Sequence, residues 1–283
     1  LGGADRAELV AHPAGPLVLN ADDPSLVARA PAFGGQIGWF SLEAGHPLVQ
    51  VHLERGGVAA FVEGDAVVVA EGAWKEPLLA VEAMPFALGG AARHNVANAL
   101  AAACAAQCLG VPAAAIAEGL RTFRNDPIEN PGRTNVFTVE GATVVVDFAH
   151  NPHGLDALVE TVRRMPARRR LVTLGQAGDR SDDDVRGLVR AACRIAPDHA
   201  VVMELPGYER GRAPGEVAGL VEDELRRHGL AGDAAVTRVA TSLDAVEAAL
   251  RWAAPGDLLL LLVYGYRDAV FARLAEAGAE VVA

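Results

Sequence analysis

From Thr134 to the end of the chain, short apolar runs alternate with stretches of helical period. "ATVVVDFA" leads to "GLDALVETVRRM", "RRLVTLG" to "SDDDVRGLVRAACRIA", and "HAVVMEL" to "APGEVAGLVEDELRRHG". The weaker "AAVTRVA" leads to "SLDAVEAALRWAA", and "DLLLLLVYG" leads to "RDAVFARLAEAG". Runs this apolar must be covered on both faces, and helical crossovers between parallel strands cover them. The pattern predicts a mostly parallel α/β sheet with helices on both faces, and such sheets bind ligands at the carboxyl ends of their strands. The run from Leu258 is far too short for a membrane helix and suits a central strand. "EVVA" at 280–283 adds an edge strand.

Residues 1 to about 90 read differently. "PLVLNADDP" is a short strand entering a turn, and "QIGWFSL" is a second strand. "LVQVHLERGGVAAFVEGDAVVVAEG" alternates apolar and polar residues and breaks at "RGG" and "EGD", which predicts a β-meander. "EPLLAVEAMPFALGG" adds a strand and a loop. From Arg93 the period becomes helical, first to a C′ glycine at Gly110 and then in a second helix with Pro112 near its first turn. "RNDPIENPGR" has no period and reads as an inter-domain linker. The expected domains are therefore 1–123 and 134–283, joined by a linker over 124–133.

Composition limits the function classes. With 283 residues and 51% hydrophobic content the chain can bury a sizeable core. A net charge of -11 argues against nucleic acid, which demands a basic face. No signal peptide or membrane span is visible, so a cytoplasmic protein without a membrane partner is expected. Three cysteines, Cys104, Cys108 and Cys193, form no disulfide framework or metal spacing; Cys104 and Cys108 read as small buried residues. A homo-oligomer is left open. The first residue is Leu1 rather than Met, which suggests a processed product or a fragment.

The polar strand ends are the candidate sites. They are Asp147 and His150, Gly175 to Arg180, Glu204 to Arg212, and Tyr264 to Arg267. The first three are expected around one crevice. Asp147 and His150 are either a turn cap with a satisfied loop histidine or two groups delivered to a ligand. "GQAGDRSDDD" is either a plain strand-to-helix loop, with Ser181 as N-cap, or an anion cradle. Arg210 and Arg212 are either a solvated loop or a carboxylate clamp. Asn95 and Asn98 share a helix face. Their carboxamides can read adenine, or Asn95 simply caps the helix. Asn20, Asp22 and Asp23 suit an Asx turn. No GxxxxGK[ST], HExxH or GxSxG occurs.

In order and spacing these motifs resemble the Mur ligase family. "LVLNADDP", "RHNVANALAA", "PGRTNVF", "VVVDFAHNP" and "GQAGDRSDDDVRGL" each look like one of its elements, along essentially the whole chain. "PGRTNVF", "VDFAHNPHGLDAL" and "ERGRAPGE" look most like the Mur-type part of the cyanophycin synthetases. The resemblance implies a C-terminal Rossmann-like domain preceded by the C-terminal part of a central ATPase domain. It implies an ATP- and Mg²⁺-dependent amide ligase that joins an amino acid to a small-molecule or peptide carboxylate through an acyl phosphate. Residue by residue it implies Asn95 and Asn98 on adenine, and Arg133 and Asp147 as catalytic groups on the ribose and phosphates. It further implies His150 on the nucleotide, and Arg180, Arg210 and Arg212 on the incoming amino acid.

The departures concern the triphosphate end. The family's P-loop and metal ligands precede its NADDP element and are not found here, so they are expected outside this chain, which alone should be inactive. The lysine that the family carbamylates is also missing from "GADRAELVAHPAG". Folylpolyglutamate-type and muramyl-peptide-type ligases, or a non-catalytic scaffold on the same fold, are the alternatives.

Overall fold

A computed structural model describes residues 15–230 and 235–282. The segment where the carbamylated lysine would fall lies almost wholly outside the described residues. The chain divides into two compact units, 1–123 and 124–283.

The first unit is built on a five-stranded sheet. Its strands are β1 (Leu17–Asn20), β2 (Ile37–Ser41), β3 (Val58–Glu63), β4 (Ala66–Glu71) and β5 (Trp74–Ala80), in that order. β1, β2 and β3 run parallel, and β3, β4 and β5 form an antiparallel meander. The meander is therefore shorter than the alternation suggests. Helix α1 (Pro24–Arg29) follows β1, and α2 (Pro47–Glu54) occupies the stretch read as the meander's first strand. Pro47 at the first helical position favours this outcome. So does burial: Val49 and Leu53, four apart, are buried, whereas Val51 between them is 43% exposed. The apolar alternation in "LVQVHLE" thus hides an i, i+4 stripe.

Helices α3 (Arg93–Cys108) and α4 (Ala113–Thr122) complete this unit. Val96, Leu100, Ala103 and Cys104 of α3 pack with Val58, Ala60, Val67 and Val69 of the sheet in one core. The other sheet face buries Trp39, Phe61 and Val68 with Val49 and Leu53 of α2. Asn20, Asp22 and Asp23 do build the turn after β1. Asp22 N–H donates to Asn20 Oδ1 (2.9 Å), and Asp23 caps α1 through Ser25 N–H and Leu26 N–H. The Asp22 carboxylate also accepts Ser41 Oγ (2.7 Å) and Leu42 N–H (3.0 Å), tying the end of β1 to the end of β2.

The second unit is a seven-stranded sheet. It comprises β6 (Asn135–Val139), β7 (Ala142–Asp147), β8 (Arg170–Leu174), β9 (His199–Met203), β10 (Val236–Val239), β11 (Leu258–Leu262) and β12 (Glu280–Val281). The order is β10-β9-β8-β11-β7-β6-β12. The five strands from β10 to β7 are parallel; β6 and β12 add an antiparallel edge. The last parallel strand in the chain thus occupies the middle, and all five of its leucines are buried. Helices α5 (Pro152–Val162), α6 (Asp182–Cys193) and α7 (Glu216–Arg227) follow β7, β8 and β9, and pack in that order. Helices α8 (Ser242–Trp252) and α9 (Arg267–Glu276) bury Ala245, Val246, Ala249, Val270 and Leu274 against β-strand residues of the core that holds Val144, Val146 and Leu261. Strand β6 is the one element of this unit that the apolar runs do not announce. Among the described residues no helix is long and apolar enough to cross a membrane.

Residues 124–133 carry no helix or strand, but they are tied to the second unit. Asn135 Nδ2 donates to the carbonyls of Asn125 (3.1 Å) and Asn130 (3.0 Å), and Asn135 Oδ1 accepts Gly132 N–H (2.7 Å).

Candidate functional site

Strand order sets which loops meet. Because β11 inserts between β7 and β8, the loop after β7 meets the loop after β11, while the loops after β8 and β9 meet each other. The single crevice expected for the first three polar strand ends is therefore drawn out into two clefts, bridged where Gln176 of the loop after β8 reaches His150 O.

The first cleft, of about 530 Å³, is lined by Gly132, Arg133, Phe148 and residues 263–269. Asp147 ends β7 at 7% exposure. Its Oδ2 accepts Thr134 N–H (2.7 Å) and Thr134 Oγ1–H (3.0 Å), and its Oδ1 accepts Ala149 N–H (2.7 Å). A buried carboxylate is tolerated because donors surround it. Tyr264, from the β11 loop, donates its hydroxyl to Ala149 O (2.9 Å). Burial pushes the Tyr264 phenol up in pKa, and the Asp147 charge adds to it, so the phenol keeps its proton and stays a donor. His150 Nδ1 lies 3.1 Å from Phe148 O, and its ring lies 5.3 Å from the Phe148 ring. Gln176, buried, donates to His150 O (2.8 Å). Three side chains from three strand ends thus fix the backbone of 147–150. Of these, Gln176 lies within the candidate stretch Gly175 to Arg180 but carries no signal of its own there, as one polar residue in a glycine-rich loop.

Arg133 is exposed and makes no ion pair among the described residues. Phe148 (40% exposed) and Tyr266 (58%) present aromatic surface beside it. Arg267 pairs with the adjacent Asp268, at 3.3 Å.

The second cleft, of about 500 Å³, lies between 176–178 and 204–217. Gly178 N–H donates to Tyr208 O (2.8 Å). The Arg212 guanidinium donates to Gly178 O, Asp182, Glu216 and Arg180 O at 2.7–3.1 Å. Arg212 therefore staples two loops, with four of its contacts committed inside the protein. Arg180 and Arg210 are exposed; Arg210 sits 5.3 Å from the centre of the Tyr208 ring. At "GQAGDRSDDD" the Gly178 N–H is taken by Tyr208 O and the helix start is capped from within. Ser181 Oγ accepts Asp184 N–H (3.1 Å), and three acids in the first turn of α6 answer its dipole.

In the first unit, Asn95 and Asn98 lie near the start of α3 but differ in setting. Asn95 is buried and donates Nδ2 to Phe86 O (2.8 Å), so it anchors a turn rather than capping the helix, whose N-cap is Ala92. Asn98 is exposed, with no side-chain hydrogen bond to the described residues. No group of three or more His, Cys, Asp or Glu able to hold a metal ion occurs among the described residues.

Comparison with known proteins gives a consistent set of relatives. Residues 132–263 match the family described as "Mur ligase, glutamate ligase domain". The chain is 38% identical over 216 residues to the cyanophycin synthetase of Crocosphaera subtropica, covering 76% of this chain and 24% of that protein. It is 34% identical over 180 residues to the UDP-N-acetylmuramyl-tripeptide synthetase of Deinococcus radiodurans, covering 62% of this chain and 34% of that protein. The chain thus spans about a quarter of the cyanophycin synthetases it matches (24% to 27%). Among solved structures, E. coli FolC in complex with ADP matches at TM-score 0.59 and 18% identity, over 93% of this chain and 61% of FolC. MurF from Acinetobacter baumannii matches at TM-score 0.58 and 18% identity, over 94% and 53%.

Proposed function

The chain belongs to the Mur ligase family, and from that premise we propose that it forms part of an ATP-dependent amide ligase of the cyanophycin synthetase kind, joining an amino acid to a carboxylate through an acyl phosphate. The observation that carries this reading is Arg133. An exposed guanidinium with no carboxylate partner among the described residues stands at a cleft on the carboxyl edge of a parallel sheet, between two backbone anchors. Such a group suits phosphate oxygens by shape and by charge.

ATP fits this edge in kind: a cation for the phosphates and aromatic surface beside it. When bound, ATP supplies the phosphoryl group that activates the carboxylate. Arg133 orients that anion and offsets its charge, and His150 offers its Nε2, since its Nδ1 faces Phe148 O. Asn98 is the more accessible of the two carboxamides for the adenine edge; Asn95 contributes by holding the turn at Phe86. Arg180 and Arg210 are proposed to recognise the incoming amino acid, and Arg212 to hold the loops that carry them. Mg²⁺ ligands and the triphosphate cradle are proposed to come from outside these residues, and no step is derived through the metal.

The test is phosphate release by the full natural polypeptide that carries this chain, supplied with ATP, a carboxylate acceptor and a panel of amino acids. Amino-acid-dependent release that falls about 100-fold in Arg133→Ala supports the reading. Turnover unchanged by Arg133→Ala removes Arg133 from the site.

A further inference from the structure

Residues 124–133 form no helix or strand, so their backbone groups must find partners one by one. Much of that work falls to a single side chain. Asn135 opens β6, pairs with Val146 of β7, and is buried at 0% exposure. Its Nδ2 donates to Asn125 O (3.1 Å) and Asn130 O (3.0 Å), and its Oδ1 accepts Gly132 N–H (2.7 Å). A carboxamide has two N–H donors, and both are spent on this one stretch of chain. A second carboxamide completes the closure. Asn125 Nδ2 donates to Thr134 O (2.7 Å), and Asn125 Oδ1 accepts Asn130 Nδ2 (3.0 Å).

Arg133 stands at the end of this loop. The residue before it, Gly132, has its N–H on Asn135 Oδ1. Arg133 N–H itself donates to Asn130 O (3.4 Å), the carbonyl that Asn135 also holds. The guanidinium is therefore carried by a backbone tied at two points to one buried side chain, and that side chain sits on a sheet strand. A misplacement of about 1 Å can cost about 100-fold in rate, so a rigid mount matters for a group that must meet a phosphate.

We infer that Asn135 is a positioning residue, which closes the 125–132 loop onto β6 and so fixes the point from which Arg133 reaches the phosphates. The inference rests on the reading of Arg133 as the phosphate contact. It leaves to Asp147 the role on the ribose and phosphates that the family resemblance implies.

A double-mutant cycle tests it, because a residue that acts only through Arg133 has nothing to place once the guanidinium is gone. The full natural polypeptide is assayed for kcat, KM for ATP and melting temperature as wild type, Asn135→Ala, Arg133→Ala and Asn135→Ala/Arg133→Ala. The expected result is a loss of about 30-fold in Asn135→Ala, mainly in kcat. The double variant should be as active as Arg133→Ala to within about twofold. A merely structural role would instead multiply the two losses, and that outcome overturns the inference. So does wild-type kcat in Asn135→Ala.

Should Asn135→Ala fail to fold, Asn135→Ser enters the same cycle, since its hydroxyl keeps one polar group in the site. A loss of at least fivefold that vanishes in the Arg133→Ala background supports the inference. A loss that persists there overturns it, and so does failure of both Asn135 variants to fold where Arg133→Ala folds, for Asn135 then serves the fold alone. The two readings separate cleanly. Full activity in Arg133→Ala sinks both, whereas loss in Arg133→Ala with multiplying losses sinks the positioning role alone.

Discussion

A Cβ placed on Gly178 would lie 1.9 Å from the carbonyl oxygen of Glu209, so the loops after β8 and β9 touch backbone to backbone. Any side chain at Gly178 must part them. We expect Gly178→Ala to destabilise the second unit by about 1–3 kcal/mol, the usual cost of overpacking. Thermal melting checks this, and faster amide exchange at Gly178, whose N–H donates to Tyr208 O, would localise the damage.

The same contact sorts the three arginines. Arg212 holds the loops together, whereas Arg180 and Arg210 are exposed. Arg212→Ala should lower the melting temperature, and Arg180→Ala and Arg210→Ala should not. If Arg180 and Arg210 recognise the amino acid, their loss should raise its KM about tenfold or more with little change in stability. An Arg212→Ala protein of normal stability would contradict the stapling role.

Asp257 precedes β11 and is buried at 1% exposure. The Arg169 guanidinium, 2.5 Å away, holds its carboxyl below the usual carboxylate range, and Arg168 and Ala254 N–H assist. A carboxyl with a depressed folded pKa contributes stability that is complete above its unfolded value, about 3.9, and is lost as pH falls through the folded value. Asp257→Asn should therefore cost about 2 kcal/mol at pH 7, and the gap to wild type should narrow as pH falls below the unfolded value of about 3.9. Denaturant melts across pH 2.5–7 measure it; a gap independent of pH would refute it.

The cysteines should react in a fixed order. The Cys104 side chain hydrogen-bonds Cys108 and lowers the Cys108 thiol, while the same contact and burial push Cys104 up. Burial and Glu224 push Cys193 up to about 11. At pH 7.5 an alkylating reagent should modify Cys108 first, as followed by mass spectrometry. First modification at Cys104 would be incompatible with this arrangement.

The second unit was legible in the sequence because its strands are buried on both faces and its helices carry full apolar stripes. "LLLLL" at 258–262 has one reasonable fate. The first unit was less so. "LVQVHLE" satisfies both a strand period and an i, i+4 pair, and only the packing of Val49 and Leu53 separates them. Cys108 was read as buried but is half-buried. At the site, motif order singled out Arg133, Asp147 and His150, but not their partners. Gln176, Thr134 and the hydroxyl of Tyr264 matter through contacts between distant segments, and strand order decides those. Strand order also divided the expected single crevice, since no local pattern says that β11 inserts between β7 and β8.

That insertion has a consequence for synthesis. Strands β7 and β8 leave the ribosome early, yet the strand that joins them begins only at Leu258. Until it arrives, the nascent second unit has a slot in its middle with two unpaired edges, one on β7 and one on β8. Long-range pairing of this kind is slow and exposes apolar edges to other chains. A chain stopped before Leu258 therefore loses more than its end: it is left as two half-sheets with nothing between them.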